Sequence, residues 1–440
     1  MKTAAINAQE KSKYSPKYVL FICVVFSVLI LVRAWSNVAL YAFAGVSLLV
    51  FLVSNLGHCI AFLFFLLPFA TILKQNVNGM SVFALLFFLV VVKMVLSRRR
   101  VDAKLLAALI VFFVYTLLFT GVAKLTTIAT MIAGILMLYC LKQDNVDVDM
   151  TSLVVVYSVA ICLSSVLALY KESLPIINIF VEDAMLKLGE DEYALRFSGL
   201  QGNPNYYTLD IVVALSAIVA LLYYKKEKNI TLTICMIALS VFGLMSVSRS
   251  FLIAWIVLLI CWFFLSVKQG AGKVLSSLLV VAIGVVVVYY FAFDYVNAFL
   301  FRFSEEQTGT LNDMTTGRIG IWQAYLETIF GDLKILFFGN GLNTVLKPGG
   351  KGTHNTYLES LFYLGIVGTA ILVISIGISI KRVAFRGVAW LPVLVLAFRM
   401  FGIGILTNDN LWFYFSIALI LACDYYKDCK KMRSAQGRRG

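Results

Sequence analysis

The side chain best suited to chemistry in this sequence is that of His354. It is one of only two histidines among 440 residues, and it lies in the stretch 353–359, where a polar segment meets a long apolar run. Because imidazole takes up and releases a proton near neutral pH, a histidine at such a boundary is a candidate general base. The other histidine, His58, lies between apolar segments, and we interpret it as a structural residue at a helix end.

Glu359 is the second candidate catalytic residue, shortly after His354. Thr356 and Glu359 match the capping-box pattern, in which a glutamate side chain bonds back to the first turn of its helix. A cap and a catalytic role beside His354 are therefore both open for this carboxylate.

Arginines supply the complementary charge. Arg249 lies in a tight turn between two apolar segments, and Arg318 precedes a segment with helical spacing. Arg399 lies inside an apolar segment, where an arginine is costly and needs a partner; Asp409 is the nearest acid candidate by sequence. Since arginine stays charged and binds phosphate with paired hydrogen bonds, the three residues predict a phosphate-binding site.

The segment RFSGLQGNPN adds Arg196, Asn203 and Asn205 to this set. Asn203 before Pro204 predicts a helix start, with asparagine as the N-cap and proline at the first helical position. Helix N-termini attract anions, so we expect the three polar side chains to contribute to anion binding. Asp210, farther along the same helix, is predicted to orient one of these groups or to pair with Arg196.

Together these side chains favour departure of a phosphate-containing leaving group, with the arginines stabilising the developing negative charge and His354 accepting a hydroxyl proton. A zinc site or a Ser/His/Asp triad would need partners that the sequence does not offer, so neither metal nor cofactor is predicted. The run GGKGT lacks the spacing of a phosphate-binding loop.

The composition defines the class of protein. Hydrophobic residues make up 61% of the chain, and runs long enough to cross a hydrocarbon core of about 30 Å recur throughout. We predict an all-α polytopic membrane protein with 12–14 transmembrane helices in a single domain, residues 1–440. The predicted spans are 18–32, 38–54, 58–73, 81–97, 104–121, 125–141, 151–170, 207–224, 230–247, 250–267, 274–293, 356–380, 388–406 and 411–426.

The orientation follows from lysine and arginine, which are enriched in short cytoplasmic loops. Their distribution predicts that both termini are cytoplasmic and that the long connections 171–206 and 294–355 lie outside. The net charge of +14 is then explained by topology, without nucleic acid as a partner.

Each long connection is predicted to carry a short helix on the membrane surface. The first rests on the helical spacing of Ile177, Val181, Ala184 and Leu188. The second rests on Trp322, Leu326, Ile329 and Leu333, with the Trp322 indole at the level of the lipid headgroups.

The run HNTYLESLFYLGIVG, the GR…W pattern upstream of it, the SRS turn and the RFSGLQGNPN segment resemble the O-antigen ligase/polymerase family. Its members are bacterial integral-membrane glycosyltransferases that use undecaprenyl-pyrophosphate-linked glycans at the outer face of the inner membrane. The motifs cover about 196–368, and the layout of apolar segments is similar over the whole chain. The resemblance implies that His354 activates the acceptor hydroxyl, that Arg249 and Arg318 hold the donor pyrophosphate without a metal, and that the transferred sugar is inverted.

Three functions follow as hypotheses. The leading one is a polymerase of O-antigen or capsular polysaccharide that transfers a growing chain onto an incoming lipid-linked repeat unit, with a chain-length regulator as a possible further partner. The second is an O-antigen ligase, which would use the same donor and base but transfer the glycan to lipid A-core in lipopolysaccharide biosynthesis. The third is a flippase or exporter of lipid-linked oligosaccharide, which many spans and intramembrane arginines would suit.

Overall fold

The chain is folded almost entirely into helices. The computed structural model describes residues 14–76, 79, 81–97, 101–142, 148–181, 184–187, 193–225, 229–305, 317–381, 383 and 385–436. Its α-helices are Pro16–Trp35, Ala39–Val53, Leu56–Leu66, Val82–Leu96, Ala103–Thr120, Leu125–Leu141, Met150–Leu169, Pro175–Phe180, Pro204–Tyr224, Ile230–Leu244, Arg249–Val267, Ala271–Glu305, Arg318–Gly331, Leu333–Phe338, Thr356–Ile380, Leu391–Met400 and Asn410–Gln436. The two described strands are Ala184–Lys187 and Tyr193–Arg196, which pair antiparallel.

Seven helices in the described part of the chain are long and apolar enough to cross a membrane. Six shorter apolar helices accompany them, so the prediction of an all-α protein built from many apolar helices is confirmed. The number of crossings, 12–14, stays a prediction. The seven are Pro16–Trp35, Ala103–Thr120, Val122–Leu141, Met150–Leu169, Pro204–Tyr224, Arg249–Val267 and Thr356–Ile380.

The helix Pro204–Tyr224, here called the central helix, organises the bundle. It begins as predicted, because the Asn203 side chain accepts a hydrogen bond from the Asn205 backbone N–H at 2.9 Å and Pro204 occupies the first turn. In its most apolar window 83% of the residues are buried, the largest share among the seven long helices. Polar side chains that it carries are therefore surrounded by other helices.

The helix Thr356–Ile380 is interrupted at Gly365, whose φ of 63° and ψ of −176° are not helical. Backbone groups freed at membrane depth must find other partners. The Asn340 N–H donates to the Phe362 carbonyl at 2.8 Å, and the Tyr115 hydroxyl donates to the Leu364 carbonyl at 2.7 Å. The interruption thus ties this helix to the chain that precedes it.

The first long connection differs from the prediction. The helix ends at Phe180, and the predicted continuation through Ala184 is wrong because Ala184–Lys187 is a strand paired with Tyr193–Arg196. Pairing with a segment farther along the chain is not visible in local spacing. Leu188, the last residue of the predicted face, lies outside the described residues.

The second long connection begins later than predicted. Ala271–Glu305 is one helix, so residues 294–305, which we assigned to the loop, are helical. This stretch contains neither the glycine nor the proline that would favour an end. The helix predicted around Trp322 is confirmed as Arg318–Gly331.

The buried face of that helix shares only Ile329 with the predicted one. Ile321, Tyr325 and Ile329 pack against Phe362, whereas Leu326 and Leu333 of the predicted face are exposed. The sequence therefore indicated the helix and misplaced the side on which it packs.

The interruption at Gly365 gives a prediction about stability. A Cβ added there would lie 2.5 Å from the Gly339 nitrogen and from Phe337 backbone atoms, in a backbone conformation that other residues rarely adopt. We expect Gly365→Ala to lower the free energy of unfolding by about 2–3 kcal/mol, measured as thermal unfolding in detergent. Gly377→Ala in the same helix meets open space and is the control. Equal behaviour of the two variants would contradict the proposed packing.

Candidate active site

One cavity of about 510 Å³ brings together most of the predicted site residues. It lies at the N-terminal ends of the central helix, of Arg249–Val267 and of Arg318–Gly331. We call it the arginine pocket. The residues that line it include Arg196, Asn205, Arg249, Ser250, Ile253, Arg318, Trp322, Lys351, His354, Phe398, Arg399 and Phe401.

Five cationic side chains face the arginine pocket, and no carboxylate is among the described residues that line it. The cations repel each other. Burial, followed by the charges of Arg318 and Arg249, lowers the pKa of Arg196 to about 10. Burial and then Arg249 lower the pKa of Arg318. A cavity with this charge is suited to an anion, which would relieve the repulsion.

Arg196 and Arg249 are placed by one turn of the chain. The Arg196 Nε donates to the Ser246 carbonyl at 3.2 Å, which docks the end of the second strand onto this turn. Val247 in the turn has a φ of 49°, which is a strained value for a β-branched residue. Its conformation directs the chain into Ser248 and then Arg249, where the next helix begins.

Asn205 joins this turn to the central helix. Its side-chain oxygen accepts a hydrogen bond from the Ser248 hydroxyl at 3.1 Å. Asn203, by contrast, does not line the arginine pocket, because its side chain is used as the N-cap. The predicted pair of amides is therefore divided, with Asn205 at the cavity and Asn203 supporting the helix behind it.

Arg399 is almost completely buried, with 2% of its surface exposed. Its guanidinium donates to the Ser250 hydroxyl, to the Asn205 carbonyl at 3.0 Å and to the Thr208 hydroxyl at 2.9 Å. The prediction that Asp409 is its partner is wrong, because neutral oxygens of neighbouring helices accept from its two terminal nitrogens. Its Nε remains buried without a hydrogen-bond partner among the described residues.

Arg318 approaches the chain at Gly402. A Cβ added to Gly402 would lie 3.1 Å from the Arg318 Nη1. The absence of a side chain at Gly402 therefore leaves the space in which the guanidinium lies.

His354 is held by the backbone around it. It adopts a φ of 47°, one of two positive values among the described non-glycine residues; the other is Val247. The neighbouring Thr353 carbonyl accepts a hydrogen bond from the Trp322 Nε1 at 2.9 Å. His354 lines the cavity, and Val247 lies two residues before Arg249, which also lines it. Strained backbone of this kind is common where function constrains the chain.

The environment of His354 favours neutral imidazole. Burial is the largest cause that lowers its pKa, and the positive charges of Arg318 and Lys351 lower it further. A neutral imidazole at neutral pH can accept a proton, which the protonated form cannot do.

Glu359 does not form the predicted capping box. The cap is Asn355, whose side-chain oxygen accepts from the N–H groups of Tyr357 and Leu358. The Glu359 Oε2 accepts instead from the Leu406 N–H at 3.1 Å. Glu359 does not line the arginine pocket, so its position favours a structural role behind His354.

A second pair of bonds reinforces this connection. The Thr356 hydroxyl donates to the Ile403 carbonyl at 2.6 Å, and the Ile405 N–H donates to the Thr356 hydroxyl oxygen at 3.2 Å. The segment 402–406 and the start of the helix at Thr356 are therefore fixed to each other.

Asp210 has neither of the predicted roles. Its carboxylate accepts from the hydroxyls of Tyr157 at 2.9 Å and Tyr414 at 2.7 Å and from the Gln201 side-chain amide at 3.0 Å. It neither pairs with Arg196 nor contacts the cavity. Its bonds join the central helix to the helices that carry Tyr157 and Tyr414 and to the turn that carries Gln201.

Lys351 and Trp322 are among the lining residues that were not predicted as part of the site. Lys351 shares the short basic run before His354, and that proximity was a signal for a further cation. The position of Trp322 at the headgroups stays a prediction; its indole lines the cavity and donates a hydrogen bond to the Thr353 carbonyl. The bond across to Thr353 had no signal in the sequence.

Comparison with known proteins adds no identification, because no protein-family model, curated protein or solved structure matches this chain. Fold and site together define a helical membrane protein with a cationic pocket at one end of its bundle. The resemblance of its motifs remains an expectation.

The charge of the arginine pocket predicts binding of a small anion. We expect Arg318→Ala to weaken binding of inorganic pyrophosphate at least about tenfold, the loss of one hydrogen-bonded charge, measured by calorimetry on purified protein. Arg386→Ala removes an exposed arginine that does not line the cavity and should leave the affinity unchanged. If both variants bind as the unsubstituted protein does, the pocket is not the anion site.

Proposed function

We propose that this protein is a metal-independent, inverting glycosyltransferase that polymerises lipid-linked repeat units of an O-antigen or capsular polysaccharide. The observation that carries the proposal is the position of His354 at a cavity lined by four arginines and Lys351. The motifs that resemble the O-antigen ligase/polymerase family add support. The donor would be an undecaprenyl-pyrophosphate-linked oligosaccharide in the bacterial inner membrane, with the site on the outer face.

The border of the arginine pocket supports a donor carried by a lipid. Ile253, Phe398 and Phe401 line the cavity. Their side chains are 49%, 46% and 55% exposed, respectively. A ligand held here can place its phosphates on the cations while its hydrocarbon leaves along this apolar surface.

The reaction breaks the bond between the donor sugar carbon and the pyrophosphate oxygen. The acceptor hydroxyl oxygen forms the new glycosidic bond, and its proton passes to His354. The departing lipid pyrophosphate takes up the negative charge, which Arg249 and Arg318 stabilise. A general base of this kind typically contributes ~10²–10⁴-fold in rate. Because the acceptor attacks directly, the sugar configuration inverts.

The remaining predicted residues support this chemistry by adding charge to the cavity or by positioning the chain around it. Arg196 and Arg399 add positive charge, and Asn205 contributes a polar group beside them. Asn203 and Glu359 act as positioning residues, since the first caps the central helix and the second holds the chain at Leu406.

Incubation with lipid-linked repeat units alone tests polymerisation. In lipid nanodiscs, the purified protein should produce a ladder of products of increasing length, resolved by electrophoresis. Products that form only after lipid A-core is added would identify a ligase in place of a polymerase. Movement of the substrate across the bilayer without any new glycosidic bond would favour the flippase or exporter.

The proposed base gives a prediction about pH. Burial and neighbouring cations lower the pKa of His354 below the ordinary histidine pKa of about 6.5. The imidazole therefore stays neutral until the pH falls below about 6.5. Transfer should therefore be constant near neutrality and decline only below about pH 6.5, as protonation removes the acceptor.

The variant His354→Gln tests whether His354 causes this decline in activity at acidic pH, here called the acidic limb of the pH profile. We expect that variant to lose at least about 100-fold in kcat and to lack the limb, while it still binds pyrophosphate. A limb whose midpoint lies above 6.5, or one retained by the variant, would show that another group is titrating.

A further inference from the structure

We propose that a groove between the helices Ile230–Leu244, Arg249–Val267 and Ala271–Glu305 binds an anionic phospholipid. An acyl chain would lie in the groove, and the lipid phosphate would lie at Lys273. This site is separate from the arginine pocket and does not depend on the proposed function. We call it the lipid groove.

The inner part of the lipid groove is apolar. It is a cavity of about 270 Å³ whose wall includes Met236, Trp255, Leu259 and Val281. The Ser240 hydroxyl on this wall accepts a hydrogen bond from the Trp255 Nε1 at 2.9 Å, so both polar groups are satisfied within the protein. The space therefore suits hydrocarbon and offers little to a polar ligand.

The outer part is a second cavity, of about 460 Å³. Ile237, Trp262 and Val280 line both cavities, so the two cavities are adjacent, and we treat them as two parts of one groove. The hydroxyls of Ser266 and Ser277 on its wall bond to each other at 2.8 Å. An acyl chain that enters the outer part can thus continue into the inner part along an apolar path.

The mouth of the lipid groove is polar and cationic. Asn229, Gln269 and Lys273 line this end, and no acidic residue is among the described residues that line either cavity. The Gln269 side chain donates to the Tyr223 carbonyl at 2.7 Å, which fixes it beside Lys273. An ammonium group above an apolar groove matches a lipid with an anionic headgroup, since basic pockets between membrane helices bind such headgroups.

The position of the mouth separates the two sites. Lys225 and Asn205 lie at opposite ends of the central helix, and the lipid groove opens near Lys225, at the end away from the arginine pocket. On the helix Arg249–Val267, Ser250 and Ile253 face the arginine pocket, whereas Leu252 and Trp255 face the lipid groove.

The depth of the lipid groove favours a lipid over a soluble ligand. Its walls belong to apolar helices of the predicted membrane bundle, and exposed neighbours such as Leu275 and Leu279 border it on the outside. A bilayer chain reaches such a space directly, and filling it restores dispersion contacts that an empty cavity loses.

Quenching of tryptophan fluorescence tests this site, because Trp255 and Trp262 lie on its wall. The protein would be placed in nanodiscs containing a minor fraction of lipid with bromine on its acyl chains, which quenches indole on contact. We expect brominated phosphatidylglycerol to quench at about fivefold lower content than brominated phosphatidylcholine with the same chains. The quenching that is lost in the double variant Trp255→Phe, Trp262→Phe is the quenching that arises in the lipid groove.

Two matched pairs of variants locate the headgroup and the chain. Lys273→Ala should abolish the preference for phosphatidylglycerol, whereas Lys268→Ala, at an exposed lysine outside the groove, should keep it. Gly284→Leu fills open space on the groove wall and should reduce quenching by both lipids. Gly45→Leu adds the same side chain to an exposed helix face and should not.

Equal quenching by the two lipids in the unsubstituted protein would overturn the anionic assignment. Quenching that the double variant leaves unchanged would overturn the groove itself. Glycan transfer is tested by a separate assay, so neither result decides whether the protein is a glycosyltransferase.

Discussion

Mutual repulsion among cations is the constraint on which the site depends. Five positive side chains surround one cavity without a carboxylate among the described lining residues, and burial strengthens their repulsion. Two of the cations are placed by contacts with neutral groups: Arg196 with Ser246, and Arg399 with Ser250, Asn205 and Thr208. The absence of an acid among the described lining residues favours an anionic ligand at this cavity.

The same scaffold positions His354, the proposed base. The stretch around His354 is bonded to the Trp322 indole on one side and to the segment 402–406 on the other. Gly402 in that segment leaves room for Arg318. His354 and Arg318 are thus placed by the same two pieces of chain, although these pieces are far apart in the sequence.

The sequence predicted what local patterns encode. Apolar length indicated the helices, and Asn203 with Pro204 indicated the start of the central helix. Chemical type and position selected the arginines, Asn205 and His354, which line one cavity. Contacts between distant segments had no local signal: the bonds of Glu359 to Leu406 and of Asp210 to two tyrosines, and the strand pairing at Ala184. Nearest acids in sequence were poor guides, as Asp409 showed for Arg399.

The central claim is that the arginine pocket holds a lipid-linked pyrophosphate beside His354. The most direct measurement is an electron cryo-microscopy structure of the protein with undecaprenyl pyrophosphate in nanodiscs. The account predicts density for both phosphates between Arg249 and Arg318, with the hydrocarbon leaving past Ile253 and Phe398. Density for the pyrophosphate at any other place, with the arginine pocket empty, would contradict it.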